Sequence, residues 1–169
     1  VFKSLIQSGV KEPAKVVRLM NDTIASDISS DRFATLLFGI YDQTRRLFRY
    51  ANAGYGPLLV YKTDKKKCFL VKPPEGSPPI GSMPDVQYGE EKPIRLDPGD
   101  IVFLFTDGIH ESRNEREEEY GMERLASVIP GFADKDSREM ANLIIQDVLR
   151  FVGNAPQFDD MTLTVMKAK

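Results

Sequence analysis

The sequence is short of the residues on which several classes of protein depend. It has one cysteine, Cys68, in 169 residues, which excludes an internal disulfide and is typical of a reducing compartment. We therefore expect a cytoplasmic protein. No apolar run approaches the ~20 residues of a transmembrane helix, and no secretory signal pattern opens the chain. We expect no membrane insertion by this domain.

The chain also lacks an excess of charge of one sign. Lys and Arg number 23 against 25 Asp and Glu, a formal net charge of −2. This balance gives no electrostatic reason to expect a nucleic acid or an anionic membrane as partner. The rest of the composition, 41% hydrophobic and 28% charged, is that of a globular protein. We predict one domain over residues 1–169.

Several catalytic schemes lack their parts. There is no glycine-rich loop that could hold a phosphate, and Cys68 is expected in the middle of a strand, where a nucleophile would be inaccessible. The only histidine is His110. It is either a general acid beside Asp107 or a surface residue without a chemical role, and both interpretations stay open.

One apolar stretch organises the sequence. Residues 101–105 are bulky and continuously apolar, which predicts a strand buried on both faces. They follow a turn at residues 97–100 and end at Asp107-Gly108. Asp-Gly after a strand is also a hairpin signal, but residues 109–119 are mostly charged and do not alternate. We therefore favour Asp107 as a site carboxylate over Asp107 as a turn residue.

The remaining pattern places strands first and helices late, which predicts an α+β fold with antiparallel strands. Residues 72–84 contain five prolines and are predicted to be a loop. The helix-spaced segments are 1–8, 13–24, 121–129 and 136–152, and the strand-like segments are 33–41, 47–53, 58–62, 68–71, 86–96 and 158–166.

Two adjacent carboxylates, Asp159 and Asp160, stand at the entrance of the last strand. Like charges repel, so such a pair favours a counter-charge, and hard cations such as Mg²⁺ and Mn²⁺ bind carboxylate oxygens. The alternative is a pair of solvated turn residues. We predict that Asp107 and Asp159 lie at neighbouring strand ends, close enough to share one cation.

The order of these motifs resembles that of the bacterial metal-dependent serine/threonine phosphatases of type 2C. The resemblance is to the branch named after sporulation stage II protein E and the sigma-factor regulators. Each motif alone is weak, and their common order carries the resemblance. The matching pieces are Arg32-Phe33-Ala34-Thr35-Leu36, Arg49-Tyr50-Ala51-Asn52-Ala53-Gly54, Pro79-Ile80-Gly81, Leu96-Asp97-Pro98-Gly99-Asp100, Phe105-Thr106-Asp107-Gly108 with Glu111, Tyr120-Gly121 and Asp159-Asp160-Met161-Thr162.

The resemblance implies two antiparallel β-sheets packed as a sandwich and flanked by helices. It implies catalytic roles for Asp107 and Asp159, and Mn²⁺ or Mg²⁺ held by Asp107, Asp159 and Asp160, with two ions in a complete domain. Two such ions activate a water for in-line attack on a phosphoserine or phosphothreonine. The implied partner is a phosphorylated regulatory protein of the anti-anti-sigma type.

The sequence departs from the family pattern in two respects. The first metal motif of the family, an Asp followed by Gly-His-Gly, is absent, and the chain starts at Val1 inside a predicted helix. We therefore expect a domain truncated at its N-terminus. Such a chain would lack its first strands, have little or no activity alone, and expose a sheet edge that favours a homodimer.

The second departure concerns Tyr55 and His110, which differ from the residues usual at these positions and bear on substrate preference. Two alternatives to the phosphatase stay open. One is a catalytically inactive phosphatase-like domain that binds a phosphoprotein, and the other is a dimerisation module.

Overall fold

The computed structural model describes residues 9–27 and 32–169, so the helix predicted over residues 1–8 lies outside the described residues. The helices are α1 (Pro13–Asp27), α2 (Asp107–His110), α3 (Met122–Val128) and α4 (Ser137–Val152), with a 3-10 helix at Ile129–Phe132. The strands are β1 (Leu36–Asp42), β2 (Leu47–Ala53), β3 (Leu58–Lys62), β4 (Lys67–Val71), β5 (Ile94–Arg95), β6 (Ile101–Phe105) and β7 (Leu163–Lys167).

The chain forms two compact units. One contains the described residues up to Tyr55 together with Pro73–Arg95, and the other contains Gly56–Lys72 with Leu96–Lys169. Each unit has its own antiparallel sheet and at least one helix. The predicted α+β class with two antiparallel sheets and helices is thereby confirmed. That residues 1–169 form one domain stays a prediction.

The first unit holds a sheet with the strand order β1-β2-β5. β1 and β2 form a hairpin whose register runs from Leu36 opposite Ala53 to Asp42 opposite Leu47. The apolar side of α1 supplies Val17 to a small core with Ala51 and Ala53 of β2. The helical spacing of the apolar residues after Pro13 is the local cause of this arrangement.

The second unit holds a sheet with the order β4-β3-β6-β7. β6 lies between β3 and β7 and pairs antiparallel with both. Ile101 and Phe103 are fully buried, and Phe105 is nearly so. The continuous apolar run therefore forms a central strand, as predicted, and its last residue stands at one edge of the core.

α4 covers this core with one stripe of its surface, formed by Met140, Ile144, Val148 and Val152. Asp136 caps its first turn, because the carboxylate accepts a hydrogen bond of 2.8 Å from the Glu139 amide. The helix predicted over 136–152 is confirmed. Leu149 lies off this stripe and is 51% exposed.

One predicted strand is wrong for most of its length. Residues 86–93 carry no strand, and β5 keeps only Ile94 and Arg95 of the predicted segment 86–96. Pro93 has no amide hydrogen to donate and Gly89 contributes no side chain, so both weaken a ladder. Two other strands start later than predicted, at Leu36 and at Leu163. Within the described residues, every helix is too short or too polar to be a candidate membrane span.

Candidate active site

Asp107 stands where the buried strand β6 leaves the core. Thr106 is still extended, with φ −85° and ψ 163°, and Asp107 begins the single turn of α2. The amide of Glu111 donates a hydrogen bond of 2.9 Å to the Asp107 carbonyl. The carboxylate of Asp107 is exposed. Asp107-Gly108 is therefore a strand-to-helix junction and not a hairpin turn. That Asp107 is a site carboxylate stays a prediction.

The end of β6 is joined to the segment that leads into β7. The last pair of the ladder places Phe105 opposite Leu163, and one backbone bond of 3.1 Å then runs from the Thr106 amide to the Thr162 carbonyl. The Thr106 hydroxyl continues the junction. It donates to the Asp160 carbonyl at 2.9 Å and accepts from the Thr162 amide at 2.9 Å. One threonine side chain thus fixes the Asp160 backbone beside the start of α2.

Gly108 is in contact with the backbone before β7. A Cβ atom built on Gly108 would lie 2.4 Å from the Asp160 carbonyl oxygen and 3.1 Å from that of Asp159. No side chain fits such a distance, and the obstacle is backbone that cannot rotate away. Glycine is required here by close approach, because Gly108 lacks the positive φ found at other glycines. The structure thus brings the segments of Asp107 and Asp159–Asp160 together.

The carboxylates of Asp159 and Asp160 are exposed. One oxygen of Asp159 accepts a hydrogen bond of 2.7 Å from the Asp160 amide, and the Asp159 carbonyl accepts one of 2.8 Å from the Gln157 side chain. These bonds hold the turn in front of β7. That the carboxylates of Asp107 and Asp159 share one cation stays a prediction.

A second group of ligand atoms lies around α2. Asp107, His110 and Glu111 each offer one atom, and the three atoms lie within 4.8 Å of one another. Two atoms that each bind one ion at ~2.1 Å are at most ~4.2 Å apart, so small side-chain rotations would suffice. His110 Nδ1 is buried and has no hydrogen-bond partner among the described residues. Carboxylates with an imidazole suit Mn²⁺, and the carboxylates alone suit Mg²⁺.

Glu111 is the functional candidate that the sequence reasoning did not assign to the metal. The sequence contained a signal for it, because a residue four positions after Asp107 returns to the same side when the intervening residues are helical. A helix as short as α2 gives no recognisable amphipathic pattern, so the sequence alone does not predict it. His110, whose imidazole Nε2 lies 3.9 Å from the Glu111 carboxylate, packs edge-on against Phe105 with 5.8 Å between the ring centroids.

Gly56 keeps the space beside the Asp107 carboxylate free. A Cβ atom on Gly56 would lie 3.6 Å from Asp107 Oδ1. A Cβ atom at this distance would be in ordinary van der Waals contact with the carboxylate, so glycine leaves this side of Asp107 open. Both residues belong to the unit that contains β6.

The loop after α2 is closed on itself and anchored to α4. The amide of Tyr120 donates to the Ser112 carbonyl at 2.8 Å, and the Ser112 hydroxyl donates to the Gly108 carbonyl at 2.6 Å. The Tyr120 hydroxyl donates to Asp147 of α4 at 2.8 Å. Burial, reinforced by this hydrogen bond, raises the pKa of Tyr120, so its hydroxyl stays a donor. These contacts position Glu111 relative to Asp107.

Cys68 is excluded as a nucleophile by its surroundings. It lies in β4, packs against the core of its unit, and makes no disulfide. Burial raises the pKa of its thiol to about 12. The thiolate, which is the reactive form, is therefore scarce at neutral pH.

The motifs at residues 49–54 and 79–81 form a separate set of contacts in the unit that contains β1 and β2. The Asn52 side chain accepts from the Tyr55 amide at 2.9 Å and donates to the Tyr55 carbonyl at 3.1 Å, which closes the turn after β2. The buried side chain of Asn21 on α1 accepts from the Gly81 amide at 3.0 Å. These motifs have a structural explanation here, and the role of Tyr55 in substrate preference stays a prediction.

Comparison with known families identifies the family to which this chain belongs. The family described as Stage II sporulation protein E (SpoIIE) matches residues 1–169. The chain belongs to the SpoIIE family. It is 31% identical to Protein IcfG of Synechocystis over 87% of its length and 27% identical to Phosphoserine phosphatase RsbU of Bacillus subtilis over 98%. It spans 23% of the first relative and 48% of the second.

The structure of this SpoIIE-family chain also matches solved structures. It is similar to the SiaA-PP2C domain of Pseudomonas aeruginosa with a TM-score of 0.81, at 22% sequence identity, over 98% of this chain and 65% of that one. At such identity the likeness shows the fold alone. The fold is that of a PP2C-type domain, which agrees with the two antiparallel sheets implied by the resemblance.

Proposed function

We propose that this chain is a metal-dependent protein phosphatase domain that hydrolyses phosphoserine or phosphothreonine on a regulatory protein. One observation carries the proposal: the junction of β6 and β7 brings the Asp159–Asp160 backbone against Gly108, next to Asp107. Carboxylates gathered at one edge of a sheet repel one another, and a bound cation would relieve that repulsion.

The donors present fit a hard divalent cation. Asp107, Asp159 and Asp160 supply carboxylate oxygens, the donors that Mn²⁺ and Mg²⁺ prefer, and Glu111 offers a further one beside Asp107. When bound, such cations lower the pKa of water and neutralise charge on the phosphoryl oxygens. We propose that Asp107 and Asp159 are the central ligands and Asp160 a further one, within a domain that uses two ions.

Three residues next to the proposed ligands support this assignment. Thr106 holds the Asp160 backbone through its hydroxyl, and Gly108 permits the close approach. Gly56 leaves room in front of Asp107. No residue forms a covalent bond to the phosphoryl group in this scheme, which agrees with the unreactive environment of Cys68.

The proposed substrate is a phosphorylated regulatory protein of the anti-anti-sigma type, and the proposed location is the cytoplasm. The relative RsbU is named a phosphoserine phosphatase, which supports the choice of phosphorylated residue. The single free cysteine supports a reducing compartment.

Self-association also remains a proposal. Within the described residues, β4 is an edge strand of its sheet and exposes Phe69 and Leu70. An exposed edge is a template for pairing with another chain. Light scattering over a range of concentrations tests this, and a monomer at every concentration would contradict the homodimer.

The test of the function is phosphate release from a phosphoserine protein by the full-length protein that carries this chain. We expect release with Mn²⁺ or Mg²⁺ and none with a chelator. Asp107→Asn and Asp159→Asn should reduce release to the level seen with chelator, because an amide is a weaker and uncharged ligand. The matched control is Asp64→Asn in the β3–β4 turn, which removes the same charge. Activity unaffected by Asp107→Asn would contradict the mechanism.

A further inference from the structure

A cleft of about 230 Å³ opens in the same unit as the candidate active site. One wall is the loop after Glu111, with Arg113 and Glu117, and the other is the segment that ends in Phe158. Phe158 directly precedes Asp159, and Arg113 follows Glu111 by two positions. Both walls are therefore continuous with segments that carry proposed or potential metal ligands. A polypeptide whose phosphorylated residue reached those ligands would have this cleft beside it.

The two walls meet through an aromatic ring and a guanidinium. The Arg113 guanidinium lies over the Phe158 ring, 5.0 Å from its centroid. The ring remains 56% exposed, so an apolar aromatic surface faces solvent at the entrance of the cleft. An exposed aromatic ring of this kind is unfavourable in water and offers a stacking surface for a cation or a planar group.

The loop that forms one wall of the cleft carries a net negative charge, although its two charged residues in the lining, Arg113 and Glu117, balance each other. Residues 113–119 carry four glutamates and two arginines. Both arginines are already paired, because Arg113 contacts Glu119 at 3.0 Å and Arg116 contacts Glu118 at 3.1 Å. Glu117 lines the cleft, its side chain is 82% exposed, and it is 3.8 Å from Arg113. The excess of carboxylate favours a cationic occupant.

We propose that this cleft binds the polypeptide chain flanking the phosphorylated residue of the substrate and prefers basic side chains there. A lysine or arginine of the substrate would lie on the exposed Phe158 ring and beside the Glu117 carboxylate. The inference rests on the proposed phosphatase function for the identity of the occupant, a phosphopeptide. It adds the sequence context that the active site selects.

The test compares two phosphoserine peptides of equal length, one with lysines on both sides of the phosphoserine and one with alanines. Binding is measured by fluorescence anisotropy with the full-length protein in chelator, so that the peptides are not hydrolysed during the measurement. We expect the lysine peptide to bind about ten-fold more tightly, the combined effect of one exposed cation–π contact and one surface ion pair. The preference should weaken at high salt.

Three variants locate the preference. Phe158→Ala and Glu117→Gln should each reduce the ratio of the two affinities several-fold, while Asp64→Asn, which removes a charge from the β3–β4 turn, should leave the ratio unchanged. An unchanged ratio in Phe158→Ala and Glu117→Gln would overturn the proposal. So would a change in oligomeric state on Phe158→Ala without any change in that ratio, because the cleft would then be covered by a second copy of the chain.

Phosphate release from the same two peptides with Mn²⁺ separates this inference from the proposed function. Binding preference without release in any condition would leave the cleft intact as a phosphopeptide site and contradict the phosphatase. Release at equal kcat/KM from both peptides would support the phosphatase and overturn the cleft.

Discussion

At the scale of single residues, Gly108 shows most directly why one atom matters at this site. The position is helical and has an ordinary φ, so alanine is acceptable to the backbone itself. The obstacle lies across the junction, where the Asp160 carbonyl oxygen is only 2.4 Å from the position of a Cβ atom. A side chain at residue 108 must therefore displace the segment that carries two of the proposed ligands.

We predict that Gly108→Ala weakens Mn²⁺ binding by ~10–100-fold, the usual effect of disturbing the groups that orient metal ligands. Isothermal titration calorimetry measures it. Gly131→Ala is the matched control, since a Cβ atom there meets nothing within 4 Å. Equal Mn²⁺ affinity in the two variants would show that the approach of Asp160 to Gly108 has no part in metal binding.

The raised pKa of the Cys68 thiol predicts how the free energy of unfolding depends on pH. Its pKa is raised by burial from 9.0 to about 12. The unfolded chain loses this proton first, so the free energy of unfolding that Cys68 contributes is complete below pH 9 and is lost as the pH rises toward 12.

Alkylation should therefore be slow in the native protein at pH 8 and fast in denaturant. Urea unfolding at pH 8 and pH 10 should show a smaller loss of stability in Cys68→Ala than in the parent. Rapid native alkylation would contradict the burial of the thiol.

At the scale of elements, the junction of β6 and β7 depends on one hydroxyl. Thr106 both donates and accepts through the same oxygen, and so joins two backbone groups that the ladder itself does not pair. A hydrogen bond of this kind contributes ~1 kcal/mol to stability. Its larger effect is on the position of Asp160.

We predict that Thr106→Val, which keeps the shape and removes the hydroxyl, costs about 1–2 kcal/mol in urea unfolding and weakens Mn²⁺ binding. Thr106→Ser keeps the hydroxyl and should restore most of the affinity. If the valine variant binds Mn²⁺ like the parent and the serine variant does not, the β-branched shape and not the hydrogen bonds determines the junction.

At the scale of the whole molecule, a bound cation should stabilise the fold. The ligands come from segments 54 residues apart at the Thr106–Asp160 contact, so the unfolded chain cannot assemble them. Binding that occurs only in the native state adds stability in proportion to the logarithm of free ligand.

We predict that Mn²⁺ at ~100 times its Kd stabilises the protein by about 2.7 kcal/mol, seen as a higher Tm in calorimetry. Asp107→Asn should remove most of the increase while leaving the Tm in chelator unchanged or slightly higher, because a repelling charge is lost. An equal increase in Asp107→Asn would place the cation elsewhere.

Much of the fold was predictable from local pattern. The apolar run at 101–105 and the helical spacing in 136–152 each determine an element by chemistry within a few residues, and both elements were found. The strand predicted at 86–96 failed because its hydrophobic pattern carried no information about ladder partners. Pro93 and Gly89 were the local signals against it.

By itself the sequence determined that Asp107 follows a buried strand and that Asp159 precedes the last one, although the exact start of that strand, Leu163, was placed too early. Only the tertiary structure decided that β7 pairs with β6, that Asp160 lies against Gly108, and that Glu111 turns toward Asp107. Strand pairing is chosen by burial summed over the whole core, and this sum is not contained in any short stretch of sequence. The acidic site exists because two distant stretches of chain end at the same edge of one sheet.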